Sequence, residues 1–253
     1  MILVLAGTVE GRQTAALLQE HGFRVTASVV SPYGAELLSR QGVSCVRTGP
    51  LDELSLQALL QQGVSLLVDA THPFATAISQ LAMQVARRLG VPYLRLERPA
   101  AELPPHPLVH PVESLQQGID RSLALGRVWF STLGSKHLPT LVVAARRSGV
   151  KLVARVLPDL NVIKACLNLG LNPADIVALQ GPCSEDLNLA LYRQYRAQVV
   201  LTKDSGGTGG VPEKVAAAVK AGIPIVVWQR PRLSYPLVLN SPEQVLEYCL
   251  YRL

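Results

Sequence analysis

The sequence predicts an α/β protein of two domains, each a parallel sheet of about five strands flanked by helices. Three observations carry this. Short β-branched or leucine-rich runs alternate with longer amphipathic runs, the rhythm of βαβ units. Four prolines within residues 98–107 interrupt that rhythm, because neither a helix nor a central strand continues through them. The apolar run 64–68 ends in Asp69-Ala70-Thr71-His72-Pro73-Phe74-Ala75. That places a carboxylate, a hydroxyl and an imidazole at the carboxyl end of a strand, where open α/β sheets bind ligands.

In the first half, strands are expected at 2–5, 24–30, 44–48, 65–69 and 93–96. Helices are expected at 10–21, 33–41, 55–62 and 76–89, with Gly22 and Gly90 where helices end. The proline-rich stretch reads as a linker, so the first domain spans 1–98, the linker 99–107 and the second domain 108–253. In the second domain, strands are expected at 127–131, 151–156, 175–179, 198–202 and 223–228. Its helices are expected at 136–148, 160–169, 184–195, 212–221 and 242–251.

Composition narrows the function. The 253 residues are 49% hydrophobic and 17% charged, enough to bury a sizeable core and too apolar for a disordered chain. No apolar run approaches the roughly 18 residues of a membrane span. The opening run, residues 1–7, lacks the basic region of a secretory signal, so a cytoplasmic location is expected, with no membrane partner. Cys45, Cys166, Cys183 and Cys249 are scattered without a C-x-x-C pair, which reads as reduced thiols and no metal site. The net charge is +6 and the pI near 9.3. With no basic run and only 5% aromatics, stacking platforms for nucleic acid are poorly supplied. A polyanionic small molecule suits the dispersed cations better; a simply basic surface is the other reading.

Several strand ends carry candidate chemistry. After the first strand come Gly7, Thr8, Glu10, Gly11 and Arg12. Glycines there let backbone approach a ligand, and the following helix offers N–H groups to a phosphate. The pattern is an incomplete G-x-G-x-x-G, and a tight turn explains it equally. The second strand ends in residues 26–33, which include Ser28 and no acid. A carboxylate there would hold a ribose hydroxyl and repel a 2′-phosphate, so NADP is favoured over NAD if a nicotinamide dinucleotide binds. Thr48 and Gly49 pass beside an adenosine or simply turn. Switch-point geometry puts a nicotinamide or substrate near Thr71 and His72. The competing reading is a capped turn, with Asp69 and Thr71 bonding local backbone and Pro73 in the helix's first turn. Arg95 and Arg98 reach carboxylates or serve as surface charges.

In the second half, Ser131, Thr132, Ser135 and Lys136 form a donor-rich strand-to-helix loop suited to an anionic group. Arg155 leaves the next strand. Residues 202–210 hold four glycines among Lys203, Asp204, Ser205 and Thr208. Such a run is costly in chain entropy, which suggests that Gly206 and Gly207 bring backbone close to a mononucleotide or a carboxylate.

Together these segments resemble the precorrin-6A reductases of cobalamin biosynthesis, cobalt-precorrin-6A reductases included. The resemblance is carried by Leu5-Ala6-Gly7-Thr8-Val9-Glu10-Gly11-Arg12, Val68-Asp69-Ala70-Thr71-His72-Pro73-Phe74-Ala75 and Tyr93-Leu94-Arg95-Leu96-Glu97-Arg98-Pro99. Thr202-Lys203-Asp204-Ser205-Gly206-Gly207 and Gly222-Ile223-Pro224-Ile225-Val226-Val227 extend it over nearly the whole chain. The family usually has a second glycine where Ala6 stands. The resemblance implies two Rossmann-like domains with NADPH between them. It also implies hydride transfer to one ring carbon of a polycarboxylate corrinoid and a proton at the neighbouring carbon. Gly7, Thr8, Glu10, Gly11, Arg12, Ser28, Thr48, Gly49 and Thr71 would then serve the cofactor. Arg95, Arg98, Ser131, Thr132, Ser135, Lys136, Arg155, Lys203, Ser205, Gly206 and Gly207 would serve the substrate. His72 and Asp204 are the proton-donor candidates; His72 titrates nearer neutrality, while Asp204 beside Lys203 tends to stay ionised. Other enzymes of the pathway are expected as partners. A nucleotide-sugar transferase using the 206–210 loop and a non-catalytic nucleotide-sensing module are the alternatives.

Overall fold

Four consecutive buried aliphatic residues form the first strand, β1 (Ile2–Leu5), the composition of a strand covered on both faces. Its side chains alternate between two cores: Ile2 and Val4 face one, Leu3 and Leu5 the other. In the computed structural model, which describes residues 1–252, this strand is central to a parallel sheet. With β2 (Val25–Val29), β3 (Val46–Thr48), β4 (Leu66–Asp69) and β5 (Tyr93–Leu96) it gives the order β5-β4-β1-β2-β3. Helices α1 (Val9–Glu20), α2 (Pro32–Arg40), α3 (Glu53–Leu60) and α4 (Thr76–Leu89) supply the crossovers. Thr8, Ser31 and Asp52 cap α1, α2 and α3. Gly90, in the left-handed region, ends α4.

A second sheet is built the same way from β6 (Val109–Val112), β7 (Val128–Ser131), β8 (Lys151–Val156), β9 (Ile176–Ala178), β10 (Val199–Lys203) and β11 (Ile225–Trp228). Its order is β6-β11-β10-β7-β8-β9. Helices α5 (Leu115–Leu125), α6 (Leu138–Arg147), α7 (Leu160–Asn168), α8 (Glu185–Gln194) and α9 (Val211–Ala221) accompany it. Again the strands separate two cores, with Trp129 and Leu201 in one and Phe130 and Val200 in the other.

The structure departs from the sequence expectation in four places. Each sheet has six strands, not five. In the second, the extra strand is β6, whose Pro111 hid it; among the described residues β6 pairs only with β11, and an edge strand tolerates proline. Helix α5 was not expected, because Gln116, Gln117 and Gly118 dilute its apolar pattern. The helix expected at 136–148 opens with a 3₁₀ turn, Ser135–His137, before α6.

The fourth departure concerns the domains. The chain divides into Met1–Pro99 with Pro231–Leu253, and Ala100–Arg230, so the expected second domain 108–253 is too long at its end. After Arg230 the chain rejoins the first unit. β12 (Val238–Leu239) pairs with β5 and completes that sheet, and α10 (Pro242–Arg252) buries Val245 and Cys249 in its core. β5 is buried along its whole length, so its outer edge needs this cover. Residues 99–107 are not a free linker either. Ala101 and Leu103 pack against the second unit's core. All four cysteines are free thiols. Among the described residues no helix is long and apolar enough to cross a membrane, and no cluster of His, Cys, Asp and Glu is placed to hold a metal.

Candidate active site

All strands of a parallel sheet end along one edge, and crevices form where the strand order reverses. The reversal lies between β1 and β4 in the first unit and between β7 and β10 in the second.

In the first unit, Leu5 and Asp69 are register partners, so the loops that follow them run together. Gly7 is exposed, and a Cβ there would stand 3.4 Å from Thr71 Cα and 3.8 Å from His72 N. The structure therefore brings Gly7, Thr71 and His72 to one place. Beneath them lies a closed polar network. Asp69 and Arg95 are register partners on β4 and β5, and both side chains are wholly buried. Arg95 Nη1 donates to Asp69 Oδ1 at 2.9 Å and to Thr71 Oγ1 at 3.1 Å. Its Nη2 donates to the Thr71 carbonyl at 3.0 Å, and its Nε to Glu97 Oε2 at 2.8 Å. The Thr71 hydroxyl and N–H donate to Asp69 Oδ1 at 2.7 and 3.0 Å, and Tyr93 donates to Oδ2 at 2.6 Å. Tyr235 covers Arg95 at 5.2 Å from the ring centre, a cation–π contact. Burial works to raise the Asp69 carboxyl, but Arg95 and the surrounding hydroxyls hold it below the usual carboxylate range.

This network corrects two expectations. Arg95 is committed inside the unit, so it cannot reach a substrate carboxylate. Pro73 lies before α4 rather than in its first turn, and Ala75 stands at the cap without a side-chain bond. Asp69 does bond local backbone, as a capped turn would, yet Tyr93 and Arg95 of β5 also hold it.

His72 is partly exposed. The Phe74 N–H donates to its Nδ1 at 3.2 Å, so the neutral ring carries its proton on Nε2. Other expected cofactor residues have structural employment. The Thr8 hydroxyl accepts from Gly11 N at 3.1 Å and donates to the Ala70 carbonyl at 3.0 Å. A Cβ on Gly11 would meet Ala70 Cβ at 2.7 Å; this glycine lets α1 lie close on the sheet. Glu10 accepts Arg98 Nη1 at 2.7 Å on both oxygens, which pairs an expected cofactor residue with an expected substrate residue. Arg12 Nε is buried without a hydrogen-bond partner among the described residues. Ser28 is buried at the end of β2. Thr48 is exposed at the end of β3, and Gly49 takes φ 115°. These three lie farther along the same edge.

In the second unit, the Thr132 N–H and hydroxyl donate to the Leu201 carbonyl at 2.8 and 3.2 Å, tying the loop after β7 to β10 at the reversal point. Ser131 is buried, and its Oγ accepts from Leu133 N at 3.4 Å. Ser135 opens the 3₁₀ turn and Lys136 is exposed on it. Lys203 ends β10; burial and then Lys136 push its ammonium down from the ordinary value. Asp204, an expected proton donor, is nearly buried. Its Oδ1 accepts from Gly206 N at 3.0 Å and Ala101 N at 3.2 Å, and its Oδ2 faces Arg230 Nε at 3.4 Å. That is the bonding of an acceptor that orders a loop, which runs against Asp204 as a proton donor. The Ser205 hydroxyl donates to the Gly209 carbonyl at 3.3 Å. Gly206 needs its glycine at φ 75°, while Gly207 is exposed with open space beside it. Arg155 is buried on β8 and bonded to Asn188.

Residues missed by sequence reasoning are Tyr93, Ser79 and Tyr235 around Arg95, and Asn188 and Lys214 near Arg155. Tyr93 and Arg95, two apart on β5, share one strand face. Ser79 and Tyr235 carry no such local signal.

Comparisons with known proteins agree over nearly the whole chain. The family model described as precorrin-6x reductase CbiJ/CobK matches residues 1–250. A cobalt-precorrin-6A reductase of Methanothermobacter thermautotrophicus is 37% identical over 92% of this chain and 77% of its own. One of Priestia megaterium is 36% identical over 97% of this chain and 96% of its own. A precorrin-6A reductase of Rhodococcus erythropolis is 30% identical over 92% and 90%. Among solved structures, a CobK precorrin-6A reductase superposes with a TM-score of 0.77, covering 99% of this chain and 96% of that one at 23% identity, a likeness of fold.

Proposed function

The chain belongs to the precorrin-6x reductase family, and from that premise we propose that it reduces the precorrin-6A macrocycle in cobalamin biosynthesis, with NADPH as the reductant. It is an oxidoreductase acting on a CH–CH bond. The observation that carries the reading is the reversal point of the first sheet, where exposed Gly7 runs beside Thr71 and His72 above the buried Asp69–Arg95 pair.

A dinucleotide suits this edge. Gly7 presents bare backbone, and the unpartnered Arg12 Nε offers a donor to a phosphate. No carboxylate stands at the end of β2, which supports NADP over NAD. The cofactor supplies the hydride. The chain's own residues do the rest. Arg95, fixed by Asp69 and Glu97, holds the Thr71 carbonyl and hydroxyl, and so sets the path of the backbone into His72. With Phe74 bonded to Nδ1, His72 presents Nε2–H. That group suits delivery of a proton to the carbon beside the reduced one. The substrate carries many carboxylates, and Lys136, Arg155 and Lys203 are cations of a kind that pairs with them.

The test is a thermal-unfolding series and an absorbance assay. NADPH is expected to raise the unfolding midpoint more than NADH does, and to be oxidised when precorrin-6A or cobalt-precorrin-6A is added. Equal or absent protection by both nucleotides overturns the cofactor assignment. Protection without oxidation by either macrocycle overturns the reductase reading.

A further inference from the structure

Buried cations in the first unit come with carboxylates: Arg95 with Asp69 and Glu97, Arg98 with Glu10. In the second unit Arg230 keeps to this with Asp204, but two buried cations do not. Arg155 is 8% exposed and Lys214 5% exposed, and among the described residues neither forms an ion pair. Their bonds go to neutral oxygens, Arg155 Nη1 to Asn188 Oδ1 at 2.9 Å and Lys214 Nζ to the Gly209 carbonyl at 2.8 Å.

The two belong to one cluster at the carboxyl edge of the sheet. Arg155 stands next to the end of β8, and Lys214 is in the first turn of α9, just after the glycine loop. Burial, then the charge of Arg155, pushes the Lys214 ammonium down to about 8. Glu213, beside Lys214, opposes this least of the groups involved. Gly181 passes the guanidinium with no side chain; a Cβ there would lie 3.8 Å from Arg155 Nη2. The wholly buried hydroxyl of Tyr192, within reach of Arg155's charge, also lacks a hydrogen-bond partner among the described residues. Asn188 is turned deliberately, since its Nδ2 donates to the carbonyls of Cys183 at 3.0 Å and Ser184 at 2.9 Å, leaving its oxygen for Arg155.

Two like charges withdrawn from water without an ion-pair partner are costly, and Glu213, whose Oε2 is buried without a hydrogen bond among the described residues, opposes them only weakly. An anion from outside removes that cost. With Nη1 held by Asn188, the donors left are one edge of the guanidinium and an ammonium, which suits a two-oxygen anion. We propose that Arg155 and Lys214, with Asn188 as positioning residue, bind one carboxylate of the macrocyclic substrate. This rests on the reductase reading given above.

The variants Arg155→Met and Lys214→Met test it. Each is expected to raise KM for precorrin-6A about tenfold while kcat and KM for NADPH stay within twofold, and Lys214→Arg should restore most of the loss. The unfolding midpoint of the ligand-free protein should hold or rise, because an unpaired buried charge is gone; a purely structural role would lower it and leave KM unchanged. A rise in KM for NADPH instead would assign the site to a phosphate and overturn the proposal. Binding of uroporphyrin, an octacarboxylate macrocycle, separates this from the reductase reading. If the unaltered protein reduces neither precorrin yet binds uroporphyrin about tenfold tighter than the variants, the carboxylate site stands and the reductase reading falls. If it reduces precorrin-6A and the variants match it in KM, the carboxylate site falls alone.

Discussion

At the scale of single residues, Asp69 and Arg95 carry the greatest weight. Both are fully buried and each is the other's principal partner. Asp69→Asn keeps the shape but leaves Arg95 buried without that partner, so a loss of about 3–5 kcal/mol is expected, read from urea denaturation. The pH dependence has a definite sign. The native carboxyl sits below its ordinary value, so its contribution is complete above about pH 4 and drains away as pH falls through the depressed native value. The asparagine variant should show a flatter acid limb. Sequence alone exposed Asp69 as a polar strand end, and misjudged Arg95. A lone arginine in Tyr93-Leu94-Arg95-Leu96 gives no sign of which side it faces. The missing information is the register that sets Asp69 beside Arg95, a property of two strands rather than of one.

At the scale of elements, the close seating of α1 matters most to the site. Gly11 permits it: a Cβ would lie 2.7 Å from Ala70 Cβ and 3.0 Å from Ala6 Cα. Alanine improves helix propensity by up to about 1 kcal/mol, but here overpacking of about 1–3 kcal/mol opposes it. Gly11→Ala should therefore lower the unfolding midpoint and, by lifting the Gly7–Thr8 loop, raise KM for NADPH. The central strands were legible because four or five aliphatic residues in a row leave little else to form. β12, two residues long, is too short to show a period, and β6 and α5 were masked by Pro111 and by polar dilution. The glycine loop at 206–210 was legible as unusual. Its order comes from Asp204, read from sequence as a proton donor and found holding backbone N–H groups.

At the scale of the whole molecule, the two-sheet architecture was readable from the alternation of runs, but the path of the chain was not. The proline-rich stretch marks the first passage between units; the second, after Arg230, is marked more sparsely, by Pro231 and Pro236. Ending the chain at Arg230 would strip the cover from β5 and remove Val245, Cys249 and Tyr235 from the first unit. Such a truncated protein should lose the NADPH-dependent rise in unfolding midpoint and become protease-sensitive within residues 1–99, a result that limited proteolysis would show directly. The returning segment also sets an order of assembly. A ribosome releases every residue of the second unit before it delivers the last strand and helix of the first. The earliest-made part of the protein is thus the last to be finished, and a premature stop beyond Arg230 would leave a complete second sheet attached to a first that still waits for its edge.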